Sequence, residues 1–218
     1  MKQHPMHRRH PSFRLAKPTL IALLAVVAAG CGASFKRFAY EGFDRDGWQQ
    51  PERVLESLAI EPGMQIADVG AGGGYFTFKL ADAVGPEGRV YAVDVDDDMV
   101  GYLRERAADE GYENVVVVRG EFGDPLLPDA GIDLVFTSNT YHHLSEPVAY
   151  FRVVRSDLRP GGRVAILDLT EGPFFARDHF TPPDDIVRDM ESAGYARSQA
   201  FDFIESQSFQ VFRPAPAD

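Results

Sequence analysis

The fold of this chain is decided by the stretch Gln65-Ile66-Ala67-Asp68-Val69-Gly70-Ala71-Gly72-Gly73-Gly74-Tyr75-Phe76. A short apolar run that ends in an acid leads into a cluster of glycines, after which a helical pattern begins. Glycine suits such a turn because it adopts positive φ angles and lets the backbone approach a ligand closely. The stretch therefore predicts a strand, a tight turn and a helix that together bind a nucleotide-like ligand.

The spacing of the glycines narrows the kind of ligand. A dinucleotide site requires a third small residue where the helix packs on its strand, but the corresponding position, counted from Gly70, is Tyr75. The spacing that fits is an acid, Asp68, two residues before alternating glycines at Gly70, Gly72 and Gly74. This form resembles the first motif of the class I S-adenosylmethionine-dependent methyltransferases. A glycine-rich turn in some other α/β protein is the alternative that this motif leaves open.

The chemistry of S-adenosylmethionine agrees with these residue types. Its methionine end carries an ammonium, a carboxylate and a sulfonium, and it has no pyrophosphate. A carboxylate in the loop would attract the cationic groups, and the free N–H groups at the start of the next helix suit the cofactor carboxylate. The resemblance implies cofactor contacts from the loop residues Asp68, Gly70, Ala71, Gly72 and Gly74.

A second apolar strand, Arg89–Asp94, also ends in an acid. Asp94 lies 20 residues beyond Gly74, which is the position of the carboxylate that binds a ribose diol in related folds. We expect Asp94 and the adjacent Val95 to contact the cofactor, and a solvated turn acid is the alternative for Asp94. The acids that follow are typical of the first turn of a helix, where negative charge is stabilised by the helix dipole.

The third strand, Asn114–Arg119, leads into Glu121 and Phe122. The resemblance to these methyltransferases implies that Glu121 stands in the position of the acid that bonds the adenine amino group, with Phe122 beside the adenine ring. The chain departs here from the family, which more often has Asp and then a small residue. Adenine contacts from Glu121 and Phe122 are therefore expectations that depend on the resemblance.

The fourth strand, Asp133–Ser138, runs into Asn139-Thr140-Tyr141-His142-His143-Leu144-Ser145-Glu146-Pro147. This stretch is similar to the His-His-Leu-x-x-Pro segment of many small-molecule methyltransferases. Asn139 is a predicted cofactor contact, and His142 is the candidate general base because histidine titrates near neutral pH. The alternative is that either imidazole orders the loop through hydrogen bonds. No Cys, Asp or Glu lies in ligand spacing with the two histidines, so no metal site is predicted.

Strands alternate with helical segments along the chain, which is typical of a parallel sheet covered by helices. The chain has 218 residues, 44% of them hydrophobic, enough for one domain with a substantial core. We expect an α/β fold, and the resemblance implies a doubly wound, mostly parallel seven-stranded sheet with helices on both faces and an antiparallel last strand. Predicted helices are Pro51–Ala59, Tyr75–Val84, Asp97–Glu110, Pro147–Asp157 and Asp184–Ser192, and the later predicted strands are Arg163–Leu169, after a turn at Arg159–Gly162, then Ala196–Ile204 and Phe209–Phe212.

The first 31 residues have a different character. Five basic residues and no acid precede an apolar run, Thr19–Ala29, which is followed by Gly30 and Cys31. The run has 11 residues, too few to span ~30 Å of hydrocarbon as a helix. The pattern resembles a bacterial lipoprotein signal in which Cys31 is lipidated. It predicts an exported, membrane-anchored protein on the periplasmic side, and a cytoplasmic one if Cys31 is an incidental cysteine in an uncleaved helix.

Three segments follow from these patterns: a signal peptide at 1–31, an aromatic-rich linker or lid at 32–50, and a methyltransferase domain at 51–218. Disordered linkers are poor in aromatic residues, so part of 34–50 is expected either to close over the cofactor cleft or to pack on the outside of the domain. The aromatic stretch Phe174–Phe180 is a second candidate cover.

Charge excludes one class of acceptor. The formal net charge is −11, and none of the 33 acids but five of the 22 basic residues precede Cys31. Such a surface repels polyanions, and no basic stripe with aromatic residues is present, so nucleic acid is not expected as a substrate. With a single cysteine the chain forms no internal disulfide.

Two functions of different classes remain at this point. The first is an enzyme that transfers a methyl group from S-adenosylmethionine to a small-molecule or lipid-like acceptor. An in-line displacement from a sulfonium mainly requires alignment and exclusion of water, and a base is needed only if the acceptor carries a proton. The second is a non-catalytic, ligand-binding surface lipoprotein that retains the fold. Export creates a tension with the first function, because the cofactor is made in the cytoplasm.

Overall fold

The computed structural model describes residues 45–170 and 180–216. Their elements, in chain order, are α1 (Arg45–Gln49), α2 (Pro51–Ser57), β1 (Gln65–Val69), α3 (Tyr75–Val84), β2 (Arg89–Asp94), α4 (Asp97–Asp109), β3 (Val115–Arg119), β4 (Ile132–Ser138), a 3₁₀ turn (Tyr141–His143), α5 (Pro147–Asp157), β5 (Leu158–Leu169), α6 (Pro183–Ser192), β6 (Tyr195–Phe201) and β7 (Gln207–Pro214). Within these ranges, none of the helices has the length and hydrophobicity that a bilayer span requires.

The seven strands form one sheet in the order β3-β2-β1-β4-β5-β7-β6. Strands β1 to β5 are parallel, whereas β7 runs antiparallel to both of its neighbours, β5 and β6. This arrangement confirms the predicted fold, including its single reversed strand. Val69 lies opposite Val93 of β2 and Thr137 of β4, so the carboxyl ends of these three strands meet at one edge.

Apolar side chains fill both faces of the sheet, and β1 shows how the alternation works. Ile66 belongs to a cluster that includes α2 and α3, whereas its neighbour Ala67 belongs to a cluster that includes α5 and α6. Both side chains are fully buried. Successive strand residues point to opposite faces, and a fully buried aliphatic side chain contributes about 1.5–3 kcal/mol. The two layers of helices therefore hold the ends of the strands in fixed positions.

Some predicted boundaries are wrong, most clearly at β5. That strand begins at Leu158, where a turn had been expected to run to Gly162, because Leu158 pairs with Ile132 of β4 before a shift in register. The last two strands are also displaced, since β6 ends at Phe201 and β7 begins at Gln207. Several predictions fall outside the described residues. These are the signal with Cys31, most of the proposed lid and most of Phe174–Phe180.

Candidate active site

Polar residues gather at the carboxyl edge of the five parallel strands. In sheet order, Glu121 follows β3, Asp94 ends β2, Asp68 lies near the end of β1, the loop 139–144 follows β4, and Asp168 lies near the end of β5. The chain reverses its winding direction between β1 and β4, and ligands in such sheets bind in the crevice at that point. The structure thus brings the predicted acids and the loop after β4 to the expected crevice.

The glycine turn after β1 is fixed to the end of β2 by its own backbone. The N–H groups of Gly70 and Ala71 donate to the Val93 carbonyl at 2.9 and 3.0 Å, and Gly70, Gly72 and Gly74 have φ angles of +75°, +53° and +84°. A Cβ at Gly74 would lie 2.4 Å from the Phe78 ring. Side chains are therefore excluded from this turn both by backbone conformation and by close packing.

Asp68 is almost fully buried beneath the turn, with 3% of its surface exposed. The hydroxyl of Thr77 in α3 donates to its Oδ2 at 2.6 Å. Burial raises the pKa of Asp68 to about 6, although the Thr77 hydrogen bond and the charge of Arg45 oppose the shift. A cationic ligand close to Asp68 would favour the ionised form, so this acid couples cation binding to pH.

Asp94 is held from both sides of its carboxylate. Oδ2 accepts from the Gly72 N–H at 2.8 Å, and Oδ1 accepts from the Asp96 N–H at 2.9 Å. A carboxylate has about four acceptor positions, so these two bonds leave capacity for a ribose diol. Its side chain is half-buried, as is Val95 beside it.

The adenine end of the predicted site lies on a tight turn after β3. The Gly120 N–H donates to the Asp94 carbonyl at 3.0 Å, and the Glu121 N–H donates to the Asp124 carbonyl at 2.8 Å. Both Glu121 and Phe122 are exposed, with Phe122 at 82%. The turn therefore presents a carboxylate and an uncovered aromatic ring close to Asp94, and direct contact with adenine stays a prediction.

The loop after β4 lies directly against the glycine turn. A Cβ built on Gly70 would lie 2.2 Å from the Thr140 hydroxyl oxygen, which shows how closely the two loops approach. Asn139 adopts a positive φ of 54°, and its backbone N–H donates to the Leu167 carbonyl at 2.9 Å. Its side-chain oxygen accepts from Gln207 of β7 at 2.5 Å. The amide of Asn139 is thus oriented by a residue that sequence reasoning did not select.

Helix α1 contributes two polar residues that were also missed. Gln49 is fully buried and donates to the Ser138 hydroxyl at 3.0 Å and to Gln207 at 3.1 Å. Arg45 lies over the Tyr75 ring, 4.0 Å from its centroid, and burial lowers its pKa. A five-residue helix is too short to give a periodic signal, so the sequence offered only the aromatic content of this segment as a hint.

His142 is paired with a buried acid that the sequence analysis did not single out. Its Nδ1 lies 2.7 Å from Oδ1 of Asp168, and the His142 side chain is 5% exposed. Neighbouring Tyr141 donates its hydroxyl to Asp189 at 2.9 Å, and burial, with Asp189, raises the Tyr141 pKa. Asp168 could have been found as a third acid near the carboxyl end of a strand. Among the residues that the structure describes, no three metal-binding side chains cluster.

This fold and this edge define a class I S-adenosylmethionine-dependent methyltransferase. The residues fit the cofactor, since Asp68 offers charge to a cation and Asp94 retains acceptor capacity. The cofactor is S-adenosyl-L-methionine.

The chain belongs to the methyltransferase-domain family, whose model matches residues 60–208. It is 35% identical over 160 residues to an arsenite methyltransferase from Halobacterium salinarum, covering 73% of this chain and 41% of that protein. It is also 29% identical over 131 residues to the ubiquinone/menaquinone biosynthesis C-methyltransferase UbiE from Ectopseudomonas mendocina, covering 59% and 51%. The chain thus spans about half the length of the curated relatives it matches.

A solved structure is similar over most of its length. The crystal structure of an S-adenosylmethionine-dependent methyltransferase from Aquifex aeolicus matches with a TM-score of 0.76 at 28% identity, covering 81% of this chain and 96% of that one. The fold, the motif and the family agree in supporting S-adenosylmethionine-dependent methyl transfer in general.

Proposed function

We propose that this protein transfers the methyl group to a small-molecule or lipid-like acceptor that binds beyond the ends of β4 and β5. The observation that carries this proposal is the contact between the two loops at the switch point. Thr140, in the loop that bears His142, lies against Gly70 in the cofactor turn. An acceptor bound along the loop after β4 would therefore lie beside the turn that we assign to the methyl donor.

The residues around this crevice have separable tasks. Bound cofactor supplies a methyl group on a sulfonium, which is transferred by in-line displacement. Asp68 and Asp94 bind its cationic and ribose groups, and the guanidinium of Arg45 offers a positive charge to its carboxylate. Gln49 and Gln207 orient the loop after β4 through their hydrogen bonds to Ser138 and Asn139. The rate then depends mainly on alignment of the acceptor.

The kind of acceptor is supported by charge and by the relatives. The acidic chain disfavours polyanions. Two relatives are named for arsenite and for quinone biosynthesis. Trivalent arsenic prefers thiolate ligands, and this chain has one cysteine, Cys31, so no multi-thiolate arsenic site can form within one copy. An organic small molecule or lipid is therefore the acceptor class we favour.

Isothermal titration with S-adenosylmethionine and with its demethylated product S-adenosylhomocysteine tests the cofactor site. We expect binding of both, and weaker binding by D94N. The exposed Asp109 at the end of α4 gives a matched control, D109N, which should bind normally. Failure of the wild-type protein to bind either ligand would overturn the proposal.

A screen with labelled methyl groups then tests transfer. Label should pass into acceptors that partition into organic solvent and should be absent when S-adenosylmethionine is withheld. Tight cofactor binding with no transfer to any acceptor would instead support the non-catalytic binding protein.

We further propose that the protein is exported and anchored through lipidated Cys31. The support is the basic start and the short apolar run before Cys31. Labelling cells with a fatty-acid analogue should mark the wild-type protein in the membrane fraction, and C31S should be unlabelled. Equal labelling of both proteins, or a cytoplasmic wild type without label, would contradict this proposal.

A further inference from the structure

We propose that two copies of this protein pair through the outer edge of β3, in an antiparallel register that sets Glu113 of each copy opposite Arg119 of the other. The dimer then has one sheet that continues across both copies. This proposal goes beyond the proposed function, because it concerns an interaction surface and does not depend on which acceptor is methylated.

Strand β3 closes one side of the sheet and bonds to β2 alone among the described strands. The Val90 N–H donates to the Asn114 carbonyl at 2.9 Å, and the Gly120 N–H donates to the Asp94 carbonyl at 3.0 Å. The even-numbered residues of β3 therefore bond to β2. Because backbone groups alternate in direction along a strand, the N–H and C=O groups of Val117 point out of the sheet.

The two outer strands of the sheet differ in how their edges are protected. β6 has a shift in register between Arg197 and Gln199, and five of its seven residues are exposed. β3 instead contains four consecutive half-buried valines, at 115–118, which pair with β2 without a shift in register and include no proline or charge. A regular, apolar edge of this kind is a template for another strand, which natural proteins usually avoid.

Charges of opposite sign lie at the two ends of the valine run. Glu113 precedes the run and Arg119 follows it, and both are exposed. Glu113 lines a groove of about 460 Å³ beside the end of α4, together with Val115 and Val117. Arg119 contacts Asp97 at the start of α4 at 2.6 Å, so its side chain lies on the same face of the sheet. The odd-numbered side chains thus form one row: an acid, two valines and a base.

This row is complementary to its own reverse. In an antiparallel pair centred on Val116, Glu113 opposes Arg119 at both ends, and Val115 opposes Val117. Outward-pointing residues must pair with one another, so the register can slip only by steps that set a charge opposite a valine. Opposed charges and opposed apolar side chains both stabilise a strand pair. A two-fold axis makes each of these contacts twice, which favours a second copy as the partner.

The existing ion pair of Arg119 does not prevent this contact. The Arg119 and Asp97 side chains are 42% and 85% exposed, and an ion pair so exposed contributes little to stability. A guanidinium has several N–H donors, so Arg119 can contact Asp97 and the other copy's Glu113 together. Within the described chain, Glu113 makes no ion pair of its own. Pairing of the two copies therefore gives this carboxylate a partner.

Sedimentation velocity of the full chain, from about 1 to 100 µM, measures the dimer, for which we expect a Kd on the order of 10 µM because the interface is small. E113R and R119E each set like charges opposite one another, so each should weaken the dimer about tenfold or more. An equimolar mixture of the two variants restores opposite charges at both ends and should form a heterodimer about as tight as the wild type. E191R makes the same charge change on α6, which packs beside β6, and should dimerise normally.

Hydrogen exchange locates the interface in the unmodified protein. The backbone amides of Val117 and Arg119 point outward, so they should exchange more slowly at about 100 µM than at about 1 µM. Amides of the opposite outer strand, β6, should exchange equally at the two concentrations. Mass spectrometry of peptides that contain 115–119 and 195–201 measures the difference.

Each outcome supports or overturns the proposal. A wild type that stays monomeric at the highest concentration, or a dimer that E113R and E191R weaken equally, would overturn pairing through β3. Two variants that melt at the wild-type temperature but form no heterodimer would overturn the register. If R119E melts early, exchange at 115–119 in the wild type decides, and no protection there would overturn the interface. Titration of S-adenosylhomocysteine tests the proposed function separately.

Discussion

The two halves of the carboxyl edge are built in different ways. In the cofactor half, polar contacts join residues that are close in sequence, such as Thr77 to Asp68, 9 residues apart, and Gly72 to Asp94, 22 apart. In the acceptor half, Gln49 reaches Gln207, 158 residues away. The glycine turn and its acids can be recognised as a motif, whereas the contact between Gln49 and Gln207 is formed only by the folded chain. Substitutions should therefore damage the cofactor half locally and the acceptor half through the tertiary structure.

The largest expected effect tests the close packing of the cofactor half. G70A should weaken S-adenosylhomocysteine binding severely and lower the free energy of unfolding by about 3 kcal/mol, because it adds a Cβ at positive φ that collides with Thr140. Gly63 is a matched control, since its φ is +86° and nothing lies within 4 Å of its Cβ position. G63A should cost only about 1 kcal/mol. Equal losses in the two variants, measured by urea unfolding, would show that backbone strain alone matters.

The second largest effect concerns Asp94, whose carboxylate has acceptor positions left for the ribose diol. D94N should weaken S-adenosylhomocysteine binding by about 10- to 100-fold, because charge-assisted hydrogen bonds are lost. Gly72 and Asp96 also bond different oxygens of Asp94, so the Asn N–H₂ would face one of these two N–H groups. Calorimetry against D109N measures the difference. An affinity within twofold of the control would remove Asp94 from the cofactor site.

A third effect is a pH dependence that originates at Asp68. Its pKa is raised to about 6 by burial, and a bound cation favours the ionised form, so affinity for S-adenosylhomocysteine should rise as pH increases and level off above about 6. We expect about tenfold weaker binding at pH 5 than at pH 7.5. The charged groups that act on Asp68 are Arg45, which lowers its pKa, and Asp94, which raises it. D68N should give a flat profile, and an unchanged slope in D68N would assign the effect to another group.

The raised pKa of Asp68 also affects the stability of the folded protein. A carboxyl whose folded-state pKa is raised contributes stability at pH values below its unfolded pKa, and this contribution is lost as pH rises through about 6. D68N should therefore stabilise the ligand-free protein at pH 7 by up to about 3 kcal/mol while weakening cofactor binding. Thermal melting at pH 4 and pH 7 measures this, and the gain should vanish at pH 4. A D68N protein that is less stable at pH 7 would contradict the raised pKa.

The smallest effect tests the acceptor half. Q49A should lower the free energy of unfolding by about 1–2 kcal/mol, because it removes the donor to the Gln207 side-chain oxygen and to the Ser138 hydroxyl. Glu52 is exposed on the adjacent helix, so E52A is the control and should change stability by less than about 0.5 kcal/mol. If Q49A alters only stability and leaves acceptor KM unchanged, α1 packs on the domain without shaping the acceptor site.

Much of the fold could be read from the sequence, for a physical reason. Acids after short apolar runs at Asp68 and Asp94 mark strand ends, and the glycines between β1 and α3 leave few conformations for the turn. The strand boundary at Leu158 was missed because the Pro and Gly residues that follow normally end a strand, and only pairing with Ile132 extends it. Gln49 and Gln207 were missed because their roles depend on partners that no local pattern specifies. Asp168 has the same position near a strand end as Asp68 and Asp94, but its partner is specified only by the folded chain.

The reversed strand β7 has a practical consequence for probing this protein. Because β7 runs against its neighbours, its first residue, Gln207, lies at the carboxyl edge of the parallel strands, whereas Arg213 lies at the opposite edge, where it donates to the Gly161 carbonyl at 2.8 Å. One strand therefore offers two reporter positions, six residues apart, of which one is close to the crevice and the other is remote from it. A fluorophore at Arg213 would report unfolding while leaving the crevice undisturbed, and one near Gln207 would respond to occupancy.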